Sequence, residues 1–418
     1  RTLWSWDGSS TTWTLLGTMT GYTGTGLCRV VQLFDFYFTA AGDAFGDRGI
    51  VVVPTETGVG RWYYDGLILR QATFGGATQP AGGEFEFAFN FGFASGRRAT
   101  TVYVSDIGAP LSTAGNGFTQ NFAYLMGGSS NQNIRAIRAF RSNEIIVWMT
   151  DRIEELIIIE SPYGSTSVGS WIIGGTAPNP NHWQRRVIDT RIGCRSRHAI
   201  ANVGEDIYFV DQFGHVRSLA RTIIDSSQGA RSLPESINLQ SYIDRINTAA
   251  SVEIVAVAHD RYFMVAYPLD DATTPSHMFV YDVVRKAWDG PWTGLSMKAM
   301  LSTVMTSAGV ASQYTRPRLY MGSTATASGN VYVHGGVDSD AGSAITYQET
   351  TKRIDADRRH LLKTWYMLEV LASSTDDIDM TVEANEDGGG WVTIGTINLL
   401  GNAPILPAQL PVTLGGTG

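Results

Sequence analysis

The sequence predicts an all-β protein, an irregular β-propeller with an additional small C-terminal β-sandwich-like domain. Short runs of β-branched and aromatic residues recur along the 418 residues, bounded by Gly, Asp and Pro. This pattern is typical of strands joined by tight turns. The 46 glycines exceed the average share of about 7%, whereas helical periodicity is rare. Many short sheets favour radial blades, which leave only short strand edges.

The pattern is clearest over 185–292, where two groups of strands flank one helical segment. Strands are predicted within 199–219, and again over 261–267 and 277–282. Between them, 234–247 has a proline at its start and apolar residues at helical intervals, which predicts a short amphipathic helix. We expect the apolar positions of this helix to pack against the sheets, and they are Leu239, Tyr242, Ile243 and Ile246.

The N-terminal part predicts strands joined by Asp-Gly turns. We expect a hairpin over 4–16 with its turn at Asp7 and Gly8, because Asp-Gly readily adopts the positive φ angles of a two-residue turn. Strands are also predicted at 33–38 and 50–53, and 60–69 contains a second Asp-Gly turn.

Phenylalanine occupies every second position from Phe85 to Phe93. Strict alternation over 84–93 predicts a single strand whose phenylalanine face packs in the core. A subunit interface would give the same alternation.

Further strands and loops follow in order. The Gly, Ser, Asn and Thr content of 108–133 and 164–181 predicts two surface loops. Between these loops we expect one strand over 139–150 and another over 155–160. A turn at 286–292 closes a sheet, and a last hairpin is predicted from two segments, 318–323 and 329–336.

A charge cluster at 349–363 marks a change of domain. We expect the propeller to occupy 1–348 and a small β-domain to occupy 349–418. Strands at 364–371, 378–384 and 391–395 favour a small sandwich, and whether it is complete stays open. Since the repeat is irregular, the number of blades does not follow from the sequence.

Charge and hydropathy exclude several classes of protein. The net charge is −8, so no overall positive field would draw the chain onto DNA or an anionic membrane. No apolar run approaches the roughly 18 residues of a membrane span, so we expect a soluble protein without a membrane partner. Cys28 and Cys194 favour reduced thiols, with one disulfide as the alternative. The start at Arg1 favours a segment of a longer protein.

No motif of a catalytic, cofactor or metal site has the required spacing. Residues 387–391, and 5–8 with Trp13, are similar to the Ser-x-Asp-x-Gly-x-Thr-Trp turn of sialidase propellers, but neither fits its spacing. The seven histidines are scattered, and no phosphate-binding or dinucleotide fingerprint occurs. For Asp376, Asp377 and Asp379, an exposed acidic turn is favoured over a calcium site. We therefore predict no catalytic residue, no cofactor and no metal site, and expect that the protein is not an enzyme.

Basic residues form three clusters along the chain. Phosphate contact is one use for them, and surface solvation or salt bridges between subunits is the favoured one. The clusters are Arg135, Arg138 and Arg141; Arg185, Arg186, Arg191, Arg195 and Arg197; and Lys352, Arg353, Arg358 and Arg359.

Several segments together carry a family resemblance. They are 140–147, 192–199, 206–216, 236–237, 262–266 and 280–282 with Trp288, and the change of domain near Lys363. This set resembles the tail hub, nozzle or packaged-DNA stabilisation proteins of tailed bacteriophages. The resemblance extends over about 135–395, and its motifs are mostly structural. The first 130 residues add compatible strands only.

The resemblance implies a structural virion protein that assembles as a ring, a hexamer, in the phage tail. The ring would lie below the portal and adaptor proteins, beside tail fibre or needle proteins. It would continue the channel for double-stranded DNA and retain the packaged genome until ejection. The chain would be made in the host cytoplasm and end in the virion. A carbohydrate-active propeller and a receptor-binding or adhesin module are the alternatives.

Overall fold

The computed structural model describes just over half of the chain, in segments concentrated between residues 132 and 294. The described residues are 2–6, 13–20, 28–37, 45–53, 61–64, 68–71, 83–89, 91–96, 99–105, 118–127, 132–158, 183–294, 297–303, 317–323, 331–334, 339–340, 343–344, 368–370, 379–385, 391–398 and 408–410. The predicted loop at 164–181 and the charge cluster at 349–363 lie outside them. The chain divides into two compact units, Arg1–Ser343 and Ala344–Gly418. The sequence-based boundary after residue 348 stays a prediction.

The first unit begins with a hairpin and continues as three four-stranded antiparallel sheets. The hairpin contains β1 (Thr2–Trp6) and β2 (Trp13–Thr18). Sheet 1 contains β3 (Arg29–Tyr37), β4 (Phe45–Val53), β5 (Trp62–Tyr64) and β6 (Leu69–Gln71). Sheet 2 contains β7 (Phe85–Ala88), β8 (Phe91–Ser95), β9 (Thr101–Ser105) and β10 (Phe118–Leu125). Sheet 3 contains β11 (Ile134–Phe140), β12 (Glu144–Met149), β13 (Ile153–Ile158) and β14 (Trp183–Asp189).

Three more antiparallel sheets follow, and then one short strand pair. Sheet 4 contains β15 (Ile200–Val203), β16 (Asp206–Val210) and β17 (Val216–Ser218). Sheet 5 contains β18 (Val255–His259), β19 (Tyr262–Tyr267), β20 (His277–Asp282) and β21 (Ala287–Trp292). Sheet 6 contains β22 (Met297–Thr303), β23 (Arg318–Ser323) and β24 (Val331–Val333). The pair contains β25 (Ser339–Asp340) and β26 (Ser343–Ala344).

The order of strands and the contacts between sheets are those of propeller blades. Within each sheet the strands pair in chain order. The first strands of successive sheets contact one another, since β3 contacts β7, β7 contacts β11, β15 contacts β18 and β18 contacts β22. A separate hydrophobic cluster fills each space between neighbouring sheets, from sheets 1 and 2 to sheets 5 and 6. The first unit is therefore an irregular β-propeller, as the sequence predicts.

Sheet 2 corrects the prediction of a single strand over 84–93. The segment is a hairpin, β7 and β8, whose turn includes Phe89 at φ 55°. The turn shifts the alternation, so that Phe85 packs in the cluster with sheet 1 and Phe93 packs in the cluster with sheet 3. The phenylalanines thus cover both faces of one sheet, and both of these rings are fully buried.

Two other strand predictions need correction. The segment 139–150 contains a turn at 141–143 between β11 and β12, with Arg141 at φ 51°. The predicted loop 108–133 contains β10, which pairs with β9. The hairpins predicted at the N-terminus, at 60–69 and across 318–336 are confirmed by the pairings of β1 with β2, β5 with β6 and β23 with β24.

The helical connection between sheets 4 and 5 is more complex than the single helix predicted at 234–247. Helix α1 (Leu219–Ser227) follows β17 directly and begins at Ser218, whose Oγ accepts a hydrogen bond from the Arg221 N–H. Within the predicted segment only a 3-10 helix (Ile237–Leu239) and α2 (Gln240–Ile243) form. A second 3-10 helix (Thr248–Glu253) precedes β18. The apolar positions do pack against the sheets, as predicted, because Leu239 and Ile243 belong to the core of sheets 4 and 5.

The described part of the second unit is small and entirely β. Its four strands form two antiparallel pairs, β27 with β30 and β28 with β29, and β29 contacts β30. The strands are β27 (Leu368–Val370), β28 (Asp379–Asn385), β29 (Trp391–Asn398) and β30 (Ala408–Leu410). Asp379 is exposed, whereas Asp376, Asp377 and 387–390 lie outside the described residues. Among the described residues, no helix has the length and apolar character needed to cross a membrane.

Candidate functional site

The most densely charged part of the described interior lies where the first strands of sheets 1, 2 and 3 meet. Four guanidinium groups and two carboxylates converge there, and we call this set the arginine cluster. Its side chains come from the start of β3, the residue before β5, the beginning of β7, the middle of β11 and the segment before β15. They are Arg29, Arg61, Glu84, Glu86, Arg138 and Arg197.

Glu84 is the carboxylate at the centre of the arginine cluster. Its side chain is only 4% exposed, and its Oε1 lies 2.7 Å from Nη1 of Arg197. Its Oε2 lies 3.6 Å from Nη1 of Arg29 and 3.7 Å from Nη1 of Arg138. Glu86 adds a second carboxylate, 2.5 Å from Nη2 of Arg29. The cluster therefore places four cations around two anions.

The same arginines also donate to backbone carbonyl groups of different sheets. Arg61 donates from Nη2 to the carbonyl oxygens of Glu84 and Ser95, each at 3.0 Å. Arg29 donates to the Phe85 carbonyl at 2.5 Å, and Arg138 donates to the Arg197 carbonyl at 2.6 Å. The arginine cluster thus ties sheets 1, 2 and 3 to the segment that enters sheet 4, by charge-assisted hydrogen bonds.

Burial perturbs the titration of the groups in and beside the arginine cluster. Burial lowers the pKa of Arg61 and of Arg138 to about 10, although the charge of Glu84 opposes this shift, so both remain charged at neutral pH. Burial and the charges of Arg197, Arg138 and Arg29 lower the pKa of His198 to about 3. Burial raises the pKa of the Cys194 thiol to about 12, which makes it a poor nucleophile. Cys194 and Cys28 are not joined by a disulfide, so the alternative of a disulfide is wrong.

A second group of ion pairs lies on sheet 3, where sequence analysis found a basic cluster. Glu154 is fully buried, and its carboxylate contacts Arg152 at 2.5 Å and Arg185 at 2.7 Å. Glu155, also fully buried, contacts Arg186 at 2.6 Å. Burial raises the pKa of Glu155, and the charge of Glu144 raises it further. These carboxylates are shielded from solvent and could not reach a substrate.

Residues that carry the sequence resemblance form the structural joint between sheets 4 and 5. Asp211 accepts hydrogen bonds from the backbone of Phe213 and His215 and from Nε of Arg217. Farther along, Trp288 donates its indole N–H to the Glu235 carbonyl at 2.9 Å. The hydroxyl of Tyr281 donates to Oε2 of Glu235, also at 2.9 Å. These polar residues hold turns and connections in place, a role in folding rather than in chemistry.

The structure separates the predicted basic clusters into distinct roles. In the first cluster, Arg138 joins the arginine cluster, Arg141 pairs with Glu144 at 3.5 Å, and Arg135 is exposed. The second cluster supplies Arg197 to the arginine cluster. Arg185 and Arg186 form ion pairs on sheet 3, and Arg195 donates to Ser251 in the 3-10 helix before β18. The third cluster lies outside the described residues. Sequence analysis favoured surface solvation or salt bridges between subunits, whereas the paired residues form ion pairs within the chain.

Sequence analysis did not identify the glutamates of these buried ion pairs. Glu84 precedes the strand β7 and Glu86 lies between two of its phenylalanines, whereas Glu154 and Glu155 interrupt an isoleucine-rich strand. A carboxylate at such a position is a signal for a buried ion pair, because Glu is almost never fully buried unless it is paired. Within the described segments, no group of three or more His, Cys, Asp or Glu residues is placed to hold a metal ion.

Comparison with known proteins adds little to this geometry. No protein-family model matches the chain, and no curated protein matches it. BamB from Moraxella catarrhalis is similar in structure at 12% identity with a TM-score of 0.36, covering 76% of this chain and 86% of that one. Hsv2 from Kluyveromyces lactis is similar at 8% identity with a TM-score of 0.32, covering 71% and 72%. Likenesses this weak carry no argument, so the fold assignment depends on the strand order and the sheet contacts.

Proposed function

We propose that this protein is a structural subunit of a bacteriophage tail, one that assembles as a hexameric ring. The ring continues the DNA channel below the portal and adaptor and retains the packaged genome until ejection. Tail fibre or needle proteins are its other neighbours, and the subunit is made in the host cytoplasm before it joins the virion. The proposal depends on the sequence resemblance over 135–395.

The observation that carries this proposal is the role of the residues in which the resemblance lies. Many of those described between 199 and 288 pack in one joint between sheets 4 and 5, which includes Phe263, Tyr267 and Tyr281, and others, such as Ile192 and Phe209, pack between sheets 3 and 4. Tyr267 is buried and donates from its hydroxyl to the Gly214 carbonyl at 3.0 Å. The resemblance lies in residues that pack in the core or form turns. Such residues preserve an architecture, so they favour a family of ring-forming structural proteins over a family of enzymes.

The charge of the chain is compatible with a DNA channel that does not grip its cargo. A basic channel would bind phosphates and release their counterions, which would strengthen binding and oppose ejection. The net charge of −8 disfavours such a field. A channel that proves strongly basic along its length would contradict this part of the proposal.

The enzymatic alternative requires two carboxylates that face one sugar, separated by about 5 to 9 Å. The buried carboxylates described above are held by arginines or by backbone N–H groups. Glu154 and Glu155 are fully buried and Glu84 is nearly so. This arrangement favours a structural role for these particular residues over glycan cleavage.

The test is the mass of the purified full chain in solution, combined with electron microscopy of the same sample. We expect a closed ring of six times the 45.4 kDa subunit mass, with an axial hole wide enough for duplex DNA. A stable monomer that forms no ring even beside portal and adaptor complexes would overturn the proposal. Glycan cleavage would then favour the carbohydrate-active propeller, and glycan binding by the isolated subunit would favour the adhesin.

A further inference from the structure

The series of propeller sheets has two ends, and each end exposes apolar side chains. The first strands of neighbouring sheets contact one another along the series, which begins with β3 of sheet 1 and ends with β22 of sheet 6. Among the described residues, exposed large apolar side chains on first strands occur only on these two. They are Val30 and Phe34 on β3, at 55% and 46%, and Leu301 on β22, at 57%.

The exposed side chains of β3 lie on the face of sheet 1 that points away from sheet 2. Val31 and Leu33 pack in the cluster between sheets 1 and 2. Val30 and Phe34 lie on the opposite face, because successive side chains of a strand alternate. Val52, the pairing partner of Val30, packs on this face with residues of the N-terminal hairpin. The hairpin therefore covers the outer strands and leaves β3 exposed, and we call this side of sheet 1 end face 1.

The N-terminal hairpin extends the apolar surface of end face 1. Leu3 packs toward sheet 1. Trp4 and Leu15, which pair across the hairpin, are 47% and 48% exposed. The apolar surface at this end of the propeller is thus larger than β3 alone.

Sheet 6 has a similar exposed face at the other end of the series. Met300 and Met321 pair with one another and pack between sheets 5 and 6. Leu301 follows Met300 and so lies on the opposite face. Ala299 and Val331 share that face through their pairing with one residue of β23, and both are exposed. We call this side of sheet 6 end face 6.

The two end faces match the surfaces that pack together elsewhere in the propeller. A hydrophobic cluster fills each space between neighbouring sheets, from sheets 1 and 2 to sheets 5 and 6. End face 6 and end face 1 are the two sides of one further contact of this kind. Both stay exposed within one chain, so the subunit does not make this contact internally. A second copy of the chain supplies the matching face, and burial of the apolar side chains favours the contact.

We propose that end face 6 of one subunit packs on end face 1 of a second copy of this chain, with Leu301 beside Val30 and Phe34. The two faces differ, so the contact is head-to-tail, and repeated head-to-tail contacts form a ring when the rotation closes. A stable interface buries about 800 Å² on each partner, and these side chains form its apolar centre. This inference rests on the proposed ring and names the contact between its subunits.

The test is the mass of the full chain and of two charge variants, measured by light scattering after size-exclusion chromatography. Phe34→Glu places a charge on end face 1, and Leu301→Glu places one on end face 6. Each variant alone should be a monomer at concentrations where the unaltered chain assembles. An equimolar mixture should give a dimer of twice the 45.4 kDa subunit mass, because one intact face of each kind remains.

The control is Val284→Glu, which changes a side chain that is 71% exposed in the turn between β20 and β21. This variant should assemble like the unaltered chain. Circular dichroism checks that all three variants fold. Assembly of Phe34→Glu or Leu301→Glu at the unaltered mass, or a mixture that stays monomeric, would overturn the proposal.

Cysteine cross-linking tests whether the two faces instead close on each other within one chain. Phe34→Cys and Leu301→Cys are introduced into the Cys28→Ser chain, in which the remaining Cys194 is buried. With a short bis-maleimide, a mixture of the two single variants should give a cross-linked dimer. A chain with both cysteines that cross-links only within the monomer would overturn the proposal in favour of closure inside the subunit.

The same measurements separate this contact from the proposed ring. If a hexameric ring forms and neither glutamate variant disrupts it, the ring stands and the contact is wrong. If the unaltered chain forms open filaments and the two variants complement each other as a dimer, the contact stands and the hexameric ring is wrong.

Discussion

The ion pair between Asp211 and Arg217 gives the sharpest prediction about stability. Both side chains are buried, with 0% and 4% exposure, and Oδ2 of Asp211 lies 2.5 Å from Nε of Arg217. The other carboxylate oxygen, Oδ1, accepts from the backbone N–H groups of Phe213 and His215, at 2.9 and 3.0 Å. One carboxylate thus fixes the turn between β16 and β17 and neutralises a buried cation.

Substitution of Asp211 by alanine should therefore cost more than a typical surface change. Removal of one partner from a buried ion pair costs about 3–5 kcal/mol, because the other charge stays buried and unpaired. Arg217 keeps its hydrogen bond to the Ser232 carbonyl at 2.6 Å, so we expect Asp211→Ala to lower the free energy of unfolding by about 4 kcal/mol. Asp211→Asn keeps an oxygen acceptor for the turn and loses only the charged hydrogen bond. We therefore expect it to lower the free energy of unfolding by about 2 kcal/mol.

The assay is urea unfolding followed by tryptophan fluorescence, with a double-mutant cycle. Arg217→Met removes the buried cation, so Asp211→Asn combined with Arg217→Met should cost clearly less than the sum of the single changes. The control is Asp270→Ala, which breaks an exposed pair with Arg245 at 2.6 Å and should shift the midpoint far less. A cost below about 1 kcal/mol for Asp211→Ala, or strict additivity in the cycle, would refute the reasoning.

Three further perturbations test other parts of the propeller. Trp148→Ala, at a fully buried ring, should cost about 3–5 kcal/mol in the free energy of unfolding, measured in the same urea assay. Gly193→Ala should prevent folding or lower the melting temperature strongly, because its Cβ would lie 2.4 Å from the 149–151 backbone. Gly204→Ala is the control, because its Cβ meets no atom within 4 Å. It should lower the free energy of unfolding by only about 1 kcal/mol, the cost of a positive φ for alanine. Stability should fall as the pH drops from about 6.5 toward 3. His198 becomes protonated over this range in the unfolded chain but stays neutral in the folded state, where its pKa is lowered to about 3. Denaturation midpoints measured against pH should show this decline, and His198→Gln should make it smaller.

Local turn chemistry explains which elements could be predicted from the sequence. An Asp-Gly pair stands between β1 and β2 and another between β5 and β6, and in each case the two strands pair, so the local signal predicts the pairing. The hairpin of β7 and β8 lacks such a pair, and its alternation of phenylalanines continues across the turn at Phe89. Alternation alone cannot distinguish one long strand from two short ones when both faces of the sheet are buried.

Helix α1 could have been recognised from its first residues. Ser218 ends the strand β17 and caps the helix, and Leu219 and Thr222 are buried one turn apart. A serine before apolar residues at helical spacing is a helix start signal. The β-strand pattern that leads into it masks this signal, because the chain passes from strand to helix without an intervening loop.

The arginine cluster could not be predicted, because its contacts join positions far apart in the chain. Arg29 reaches Glu86 across 57 positions, and Arg197 reaches Glu84 across 113. These pairs exist only because the first strands of successive sheets are neighbours in the propeller. Sequence patterns report which residues lie in strands, whereas the arrangement of the blades decides which charges meet.

The distribution of arginines bears on how the proposed channel would interact with DNA. Phosphate contact was one use considered for the basic clusters of the sequence, yet Arg138, Arg185 and Arg197 are paired with buried glutamates inside the subunit. A guanidinium that neutralises an internal carboxylate adds little to the potential at the surface, since the two fields largely cancel beyond a Debye length of about 8–10 Å. The net charge of −8 already counts these arginines together with their carboxylate partners. In the proposed ring, these paired arginines would therefore add little ionic attraction for DNA, and the proposal predicts that the ring retains DNA mainly by enclosing it.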